Sequence, residues 1–188
     1  MDVLTTDRLR LRRLNPADAD HLLEALGDPV AMAHYPAAKD RDGVAAWIQW
    51  AMESYVANGF GLWAIERATD GAFLGDCGPM LQPVGDGWLP EIGYHLIRRD
   101  WGHGYATEAA QACLAWLFRE TGYDRVCSIV HPENLPSRRV AERVHRRLEM
   151  IMWERTGTRQ CLYSTTREQL VEPSIARREN PGSDRPQG

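Results

Sequence analysis

The chain has 188 residues, of which 44% are hydrophobic, and this length and composition suit one domain with a sizeable core. Its formal net charge of −4 argues against attraction to nucleic acid through bulk positive charge. No stretch approaches the roughly 20 apolar residues of a membrane span, and we expect no signal peptide because the N-terminus lacks an apolar region. The four cysteines form no CxxC pair, which is typical of buried thiols in a reducing compartment, so we expect a cytoplasmic protein.

The first half of the chain predicts one strand, two helices and a hairpin. Alternating leucine and arginine in RLRLRR (8–13) indicates a half-buried strand. In the NPAD segment that follows, Asn15 is suited to cap a helix that ends before Gly27. A second helix is predicted from Asp40, because apolar residues recur there at intervals of three and four. The segments FGLWAIER and AFLGDCGPM then predict a hairpin, followed by a Pro/Gly-rich loop at 83–90.

The second half alternates strands with helices. The predicted elements are the strand EIGYHLI, an alanine-rich helix before Gly122, the strand RVCSIV, a helix capped by Asn134, and strands at about 150–155 and 159–166. The resulting order, βααβββαβαββ, predicts a mixed α/β domain over residues 1–168, with one central sheet flanked by helices. The polar, Pro/Gly-rich segment 169–188 predicts a disordered tail.

A glycine loop links the strand EIGYHLI to the alanine-rich helix. Gly102 and Gly104 lie where a strand turns into a helix start, so backbone N–H groups there are unpaired and point outward. Such amides, together with the helix dipole, receive phosphate oxygens well. The loop is neither a P-loop nor a dinucleotide-binding loop, since it lacks the Lys-Ser/Thr pair and the third glycine. On the glycines alone, a plain turn is the competing interpretation.

The residues around this loop resemble the Gcn-five-related N-acetyltransferases (GNAT), and within them the RimJ/RimL-like branch. The resemblance is carried by EIGYHLIRRDWGHGYATEAAQACLAWLF and by RVCSIVHPENLPSRRVAERV, and it covers roughly residues 4–166. The family signature Gln/Arg-x-x-Gly-x-Gly/Ala falls on Trp101 to Ala106, with tryptophan in place of Gln/Arg. The Gly-Phe or Gly-Met usual after the next helix is VHRRLEM here.

The resemblance implies acetyl-CoA as the acyl donor. The strand that ends at Leu96 and Ile97 would pair with the pantetheine arm, and the loop amides would hold the pyrophosphate. Asn134 and Ser137 match an Asn-x-x-Ser element beside the thiol end of the cofactor. The implied cofactor-binding residues are Leu96, Ile97, Trp101, Gly102, His103, Gly104, Tyr105, Ala106, Thr107, Asn134 and Ser137. Further candidates for charge near the cofactor are Arg98, Arg99, Arg138 and Arg139.

Amine acylation requires a neutral amine, a polarised thioester carbonyl and a proton for the departing thiolate. The resemblance places Ser137 as the proton donor, with an ordinary helix serine as the competing interpretation and Tyr163 as the alternative donor. Glu91 is the candidate base, acting directly or through water, although it is equally placed to be an exposed residue at a strand start. Glu154 is the competing carboxylate.

The remaining side chains narrow the functional class. The six histidines show no metal-ligand spacing, so no metal is expected. A Ser/His/Asp hydrolase is not supported, because the sequence contains no GxSxG elbow. Trp50 lies off the apolar stripe of the second helix and is placed to face a substrate. We therefore predict an acetyl-CoA-dependent N-acetyltransferase acting on a primary amine, either a protein N-terminal α-amine or a small molecule. The alternatives are a non-catalytic acyl-CoA-binding regulatory protein and a longer donor such as succinyl-CoA; a homodimer is left open.

Overall fold

A computed structural model describes residues 2–153 and 155–171, which build one eight-stranded mixed sheet with helices packed against it. The strands are β1 (Asp2–Thr5), β2 (Leu9–Arg13), β3 (Trp63–Arg67), β4 (Phe73–Val84), β5 (Gly87–Leu96), β6 (Arg125–Val130), β7 (Arg147–Trp153) and β8 (Thr158–Thr166). The helices are α1 (Ala19–Leu26), α2 (Arg41–Ala57), α3 (Tyr105–Glu120), α4 (Leu135–Val144) and α5 (Arg167–Val171). The strand order is β1-β2-β3-β4-β5-β6-β8-β7, which confirms the predicted single mixed sheet flanked by helices.

Side-chain caps begin three of the helical segments where the sequence predicts them. Asn15 Oδ1 accepts a hydrogen bond from Ala17 N at 2.9 Å, and it caps a short 3₁₀ turn that leads into α1. Asp40 Oδ1 accepts from Gly43 N at 2.8 Å at the start of α2. Asn134 Oδ1 accepts from Ser137 N at 3.2 Å at the start of α4. Each cap satisfies an amide that the helix leaves unpaired.

The structure corrects the prediction in the first strand and in the 83–90 loop. An additional strand, β1, pairs antiparallel with β2, so the sheet begins with a hairpin. The predicted loop is wrong: β4 and β5 continue to a tight turn, with Val84 opposite Gly87. Pro83 and Pro90 lie in this outer half of the hairpin, beyond the pairing of β3 with β4. A missing N–H there costs no bond to a further strand, so proline is tolerated.

Apolar side chains fill the space between the sheet and its helices. Trp63 and Ile65 of β3 and Leu117 of α3 are almost completely buried in this core. A smaller cluster formed by Val130, Ala141, Cys161 and Tyr163 lies under α4. The four cysteines are buried and free, as predicted. In the part of the chain that the structure describes, no helix is long and apolar enough to cross a membrane. The predicted tail boundary is wrong at 169–171, which continue helix α5, and the rest of the predicted tail, from position 172 onward, lies outside the described residues.

In the part of the chain that the structure describes, β5 and β6 form the one parallel pair of strands, and their junction positions the candidate site. Its ladder consists of a single bridging pair, Glu91 with Cys127, among the described residues. Ser128 adds a side-chain contact just beyond it, because its hydroxyl donates to the Ile92 carbonyl at 2.8 Å. Further along, no bridge joins β6 to the Tyr94–Leu96 end of β5 in the described part of the chain. The two strands therefore separate there and leave backbone groups of β5 without a strand partner on that side.

Candidate active site

Two cavities meet near the point where β5 and β6 separate. The loop-side cavity has a volume of about 550 Å³ and lies against the glycine loop and the first turn of α3. The strand-side cavity has a volume of about 600 Å³ and lies against β5, β6 and the start of α2. The residues that line both cavities include Tyr35, Tyr94, His95, Asn134 and Ser137. A ligand in one cavity would therefore reach a ligand in the other at these side chains.

The glycine loop joins the end of β5 to the start of α3, and both of its glycines have a left-handed backbone. Gly102 and Gly104 have φ values of +81° and +82°, in the left-handed region that favours glycine. Gly104 is the N-cap residue of α3, and no side chain caps that helix. The first amides of α3 are therefore available to an anionic ligand in the loop-side cavity. Trp101 closes the loop, since its indole N–H donates to the Leu96 carbonyl at 2.9 Å.

Most of the predicted cofactor-binding residues line the loop-side cavity together. These are Leu96, Trp101, Gly102, Gly104, Tyr105, Ala106, Thr107, Asn134 and Ser137. Ile97 and His103 are not among its lining residues. Ile97 is buried, and its amide donates to the Leu74 carbonyl at 2.9 Å. The His103 ring instead stacks on the Tyr105 ring, with centroids 5.7 Å apart.

The arginines that line the loop-side cavity are Arg139 and Arg143, both on α4. Arg143 was not among the sequence candidates. Arg98 pairs with Asp28 at 2.8 Å, and Arg99 pairs with Glu24, so both are engaged with the α1 side of the molecule. Arg138 donates from Nε to the Tyr163 hydroxyl at 3.0 Å and lies outside the cavity lining. The positive charge of the cavity thus comes from α4.

Arg8 holds the glycine loop from outside the cavity, and sequence reasoning missed it. Its Nη1 donates to the His103 carbonyl at 3.0 Å, and its Nε donates to Glu108 Oε2 at 2.7 Å. Thr6 Oγ1 donates to the other oxygen of Glu108 at 2.5 Å. Burial by itself would raise the pKa of Glu108, but the hydrogen bonds from Thr6 and Arg8 outweigh it, so this pKa is lowered.

Glu91 lies at the bottom of the separation between β5 and β6 and lines the strand-side cavity. Its Oε1 accepts a hydrogen bond from Ile129 N at 3.1 Å. That contact uses an amide of β6 that β5 no longer pairs. Burial raises the pKa of the Glu91 carboxyl above its usual value. Glu154, the competing carboxylate, lies outside the described residues.

Ser137 and Tyr94 lie together where the two cavities join. The Tyr94 hydroxyl donates to the Ser137 carbonyl at 2.8 Å, which ties β5 to the start of α4. Ser137 is half-buried and contributes to both cavity walls. Tyr163, the alternative proton donor, is 2% exposed and lines neither cavity. Its hydroxyl contacts Arg138 and Glu142 instead.

A second polar group at the junction was missed by sequence reasoning. His95 Nδ1 lies 2.7 Å from Asp76 Oδ1, and the Trp47 indole N–H donates to Asp76 Oδ2 at 2.8 Å. His95 Nε2 lies 2.8 Å from the Tyr35 hydroxyl. The period of two along β5 places His95 on the same face as Glu91, and this was the one sequence signal that pointed to it. Trp50 lines the strand-side cavity beside Trp47.

The chain matches the acetyltransferase (GNAT) domain over residues 8–147. The protein YkkB of Bacillus subtilis (strain 168) is 39% identical over 142 residues, which cover 75% of this chain and 83% of YkkB. The uncharacterised N-acetyltransferase p20 of Bacillus licheniformis is 33% identical over 143 residues, which cover 73% of this chain and 78% of p20. This chain belongs to the GNAT acetyltransferase family, as its sequence motifs predicted.

Solved structures share the fold over nearly its whole length. An acetyltransferase from Agrobacterium tumefaciens str. C58 matches with a TM-score of 0.75 and 25% identity, covering 87% of this chain and 94% of that one. RimL, a ribosomal L7/L12 alpha-N-protein acetyltransferase in complex with coenzyme A, matches with a TM-score of 0.71 and 17% identity, covering 90% and 99%. At 17% identity, the similarity to RimL shows a shared fold and nothing more. Among the residues described here, no three metal-ligating side chains cluster together.

Proposed function

We propose that this protein transfers the acetyl group of acetyl-CoA to the nitrogen of a primary amine. The observation that carries the proposal is the meeting of two cavities where β5 and β6 separate. One cavity presents unpaired helix amides and arginines, which suit the phosphates of a nucleotide cofactor. The other presents a carboxylate among aromatic rings, which suits a cationic amine.

The donor occupies the loop-side cavity. The amides from Trp101 to Thr107 hold the pyrophosphate, and Arg139 and Arg143 add positive charge beside it. The pantetheine arm lies along the part of β5 that has lost its pairing with β6. An amide of that strand, between Tyr94 and Leu96, polarises the thioester carbonyl. RimL, which shares the fold, is in complex with coenzyme A, and this supports coenzyme A as the kind of ligand bound.

The acceptor occupies the strand-side cavity. Glu91 provides the negative charge that draws a primary ammonium toward the junction, and it takes the first proton from nitrogen, directly or through water. Trp50 and the neighbouring Trp47 form the aromatic wall beside which the acceptor lies. The free nitrogen then attacks the carbonyl carbon, and positioning the two reactants side by side supplies much of the rate.

Ser137 completes the reaction. As the carbon–sulfur bond breaks, the thiolate of CoA takes a proton from the Ser137 hydroxyl, which is replenished from the solvent in the adjoining cavity. Its place in both cavity walls supports this role, because the sulfur atom must lie where donor and acceptor meet. Asn134 holds the start of α4, and with it Ser137, at that position.

Thiol release from acetyl-CoA with four amines tests the proposal. The amines are a lysine-free peptide with a free α-amine, the aminoglycoside ribostamycin, spermidine and 2-phenylethylamine. The peptide reflects the substrate class of RimL, and ribostamycin is the ligand in a solved complex of AAC(6')-Ib, which shares the fold. We expect at least one amine to release free thiol and to gain one acetyl group by mass spectrometry.

Two other results would overturn the proposal. Calorimetric binding of acetyl-CoA without transfer to any of the four amines would favour a non-catalytic acyl-CoA-binding protein. Faster turnover with succinyl-CoA than with acetyl-CoA, on the same amine, would replace the acetyl donor with a longer one. Both measurements use the same full-length preparation, so that differences in folding do not affect the comparison.

A further inference from the structure

We infer that His95, held in place by Asp76, is a second proton acceptor in this reaction. It takes the proton that remains on the acceptor nitrogen after Glu91 has taken the first. The inference rests on the proposed N-acetyl transfer, and it adds a catalytic group and its positioning residue to that function. The two residues face each other directly in the sheet, since Asp76 of β4 pairs with His95 of β5.

Both oxygens of the Asp76 carboxylate are engaged, which fixes the orientation of His95. Asp76 is completely buried, and its Oδ2 accepts from the Trp47 indole N–H at 2.8 Å. Its Oδ1 accepts from His95 Nδ1 at 2.7 Å, an assignment that follows because a carboxylate can only accept. The lone pair of the imidazole is therefore on Nε2. A buried carboxylate behind an imidazole also stabilises the imidazolium that forms when Nε2 takes a proton.

His95 lines both cavities, so its side chain lies at their junction. Nε2 accepts a hydrogen bond from the Tyr35 hydroxyl at 2.8 Å. Tyr35 lies on the segment between α1 and α2 and lines both cavities, and in the proposed step the acceptor displaces its hydroxyl from this position. A polar N–H of the acceptor then takes the place of the tyrosine O–H.

The surroundings of the imidazole carry few other charges. Asp76 faces it from β4, Glu91 lies on the same face of β5, and Tyr35 covers its outer nitrogen. From α2, Trp47 packs edge-on against the imidazole, with ring centroids 5.4 Å apart. Lys39 lies over the ring of this indole, with Nζ 4.8 Å from its centroid. When Glu91 holds the first proton from the acceptor, the Asp76 carboxylate is the negative charge in direct contact with the His95 ring.

The amine nitrogen must lose two protons during the reaction, so a second proton acceptor is required. A primary ammonium loses one proton to Glu91 before its nitrogen can attack, and the new carbon–nitrogen bond leaves that nitrogen positively charged. His95 Nε2 takes the second proton at this stage, the carbon–sulfur bond then breaks, and the thiolate is protonated through Ser137. Unless the nitrogen is deprotonated, it leaves again as a neutral amine and the intermediate reverts. After the amide product departs, Glu91 and His95 each return their proton to the solvent in the cavity.

His95→Gln tests the inference, because glutamine retains a hydrogen-bonding group and cannot take a proton. The assay uses acetyl-CoA and whichever of the four amines above the wild type acetylates fastest. We expect kcat to fall by about 10²-fold or more, the usual range for a lost general base, with the Kd of acetyl-CoA unchanged. His21→Gln is the matched control, since His21 is exposed and lines neither cavity.

Asp76→Asn tests the positioning role through a readout that packing alone does not change. Without the carboxylate, the imidazolium is less stable, so kcat falls and the acid limb of its pH profile moves to lower pH. Asp76→Asn also tests the inference if His95→Gln fails to fold. A folded His95→Gln enzyme with kcat within twofold of wild type, or an Asp76→Asn profile that does not move, would overturn the inference. If the wild type acetylates none of the four amines, the proposed function itself fails.

Discussion

Arg8 and Glu108 form a close ion pair, with Arg8 Nη2 2.5 Å from Glu108 Oε2, and this pair joins the turn before β2 to the first turn of α3. The same guanidinium donates from Nη1 to the His103 carbonyl inside the glycine loop. It also lies over the Tyr105 ring, 4.9 Å from its centroid. One side chain therefore fixes the loop, the helix start and the β1–β2 hairpin relative to one another. A loop fixed in this way loses less entropy when it binds a ligand.

The first prediction follows from this contact. Arg8→Met removes the contacts to the His103 carbonyl and to Glu108 while keeping a long side chain. We therefore expect acetyl-CoA to bind about tenfold more weakly, which corresponds to about 1.4 kcal/mol. The catalytic constant should change little, because no reacting group is touched. Isothermal titration calorimetry and steady-state kinetics measure the two quantities.

Arg10→Met is the control for this prediction. Arg10 lies on β2 and pairs with Glu66 at 3.5 Å, away from the loop. We expect its acetyl-CoA affinity to equal that of the wild type. Equal affinities for the Arg8 and Arg10 variants would show that the loop keeps its shape without Arg8.

The second prediction concerns Gly104, whose φ of +82° is costly for any residue with a Cβ atom. In Gly104→Ala the new Cβ lies 3.5 Å from Arg8 Nη2, on the side of the loop that Arg8 holds, and a backbone that leaves the left-handed region would shift the loop amides that line the cavity. We expect a stability loss of roughly 1–2 kcal/mol from the left-handed backbone. In addition, acetyl-CoA affinity should fall by more than about tenfold, because the amides no longer approach the phosphates closely.

Gly59→Ala separates the backbone cost from the binding cost. Gly59 has a φ of +79°, and a Cβ there meets nothing within 4 Å. This variant should lose as much stability as Gly104→Ala and none of the affinity for acetyl-CoA. Thermal unfolding and calorimetry on both proteins give the comparison. If the two variants bind acetyl-CoA equally well, the phosphates do not lie against Gly104.

Features encoded by a few neighbouring residues could be predicted from the sequence. Asn15 and Asn134 were recognised as caps because an N-cap side chain acts on an amide two or three residues away, and the start of α2 at Asp40 was recognised from its apolar periodicity. The glycine loop was recognised for the same reason, since a strand, two glycines and a helix start are contiguous. The 83–90 loop was mispredicted because its prolines are harmless where the hairpin has no further strand beside it.

Contacts between distant segments could not be predicted in this way. Arg8 contacts Glu108 although the two are 100 residues apart in the chain, and the sequence around either residue does not indicate its partner. The pairing of Asp76 with His95 depends on the register of β4 against β5, which a shift of one residue would abolish. The positions of the cavities depend on where β6 leaves β5, a property of the assembled sheet.

The third prediction concerns Ser137, whose amide and hydroxyl have separate roles. The amide N–H, which alanine retains, donates to the Asn134 cap at 3.2 Å. Ser137→Ala should therefore leave α4 and the free energy of unfolding nearly unchanged. If the hydroxyl protonates the leaving thiolate, kcat should fall by about 10²–10⁴-fold, with the Kd of acetyl-CoA unchanged. Steady-state kinetics and calorimetry on one preparation distinguish these effects.

Asn134→Ala provides the contrast for Ser137. It removes the cap side chain, so it should lower the stability of the protein by about 1 kcal/mol. An unchanged kcat in Ser137→Ala would transfer the proton-donor role to water. Weaker acetyl-CoA binding at unchanged kcat would make Ser137 a binding residue instead.

The fourth prediction concerns His145, which follows α4 and is 5% exposed. Its ring nitrogens lie 3.1 Å from Ser128 Oγ and 3.2 Å from Thr165 Oγ1. Burial lowers its pKa from 6.5 to about 4, because the charged form loses its hydration. The folded protein thus binds fewer protons here than the unfolded chain between these two values. Stability is fully present above pH 6.5 and is lost as the pH falls toward 4.

Urea unfolding of wild type and His145→Gln at pH 7 and pH 5 measures this contribution. Glutamine keeps neutral hydrogen-bonding groups and does not titrate, so the variant loses only the stability that other groups lose. The neutral His145 loses about 1.36 kcal/mol of stability for each pH unit below 6.5. Between pH 7 and pH 5 the wild type should therefore lose about 2 kcal/mol more of its free energy of unfolding than the variant. His21→Gln, an exposed control, should follow the wild type. Parallel losses in wild type and His145→Gln would mean that His145 stays accessible to protons in the folded protein.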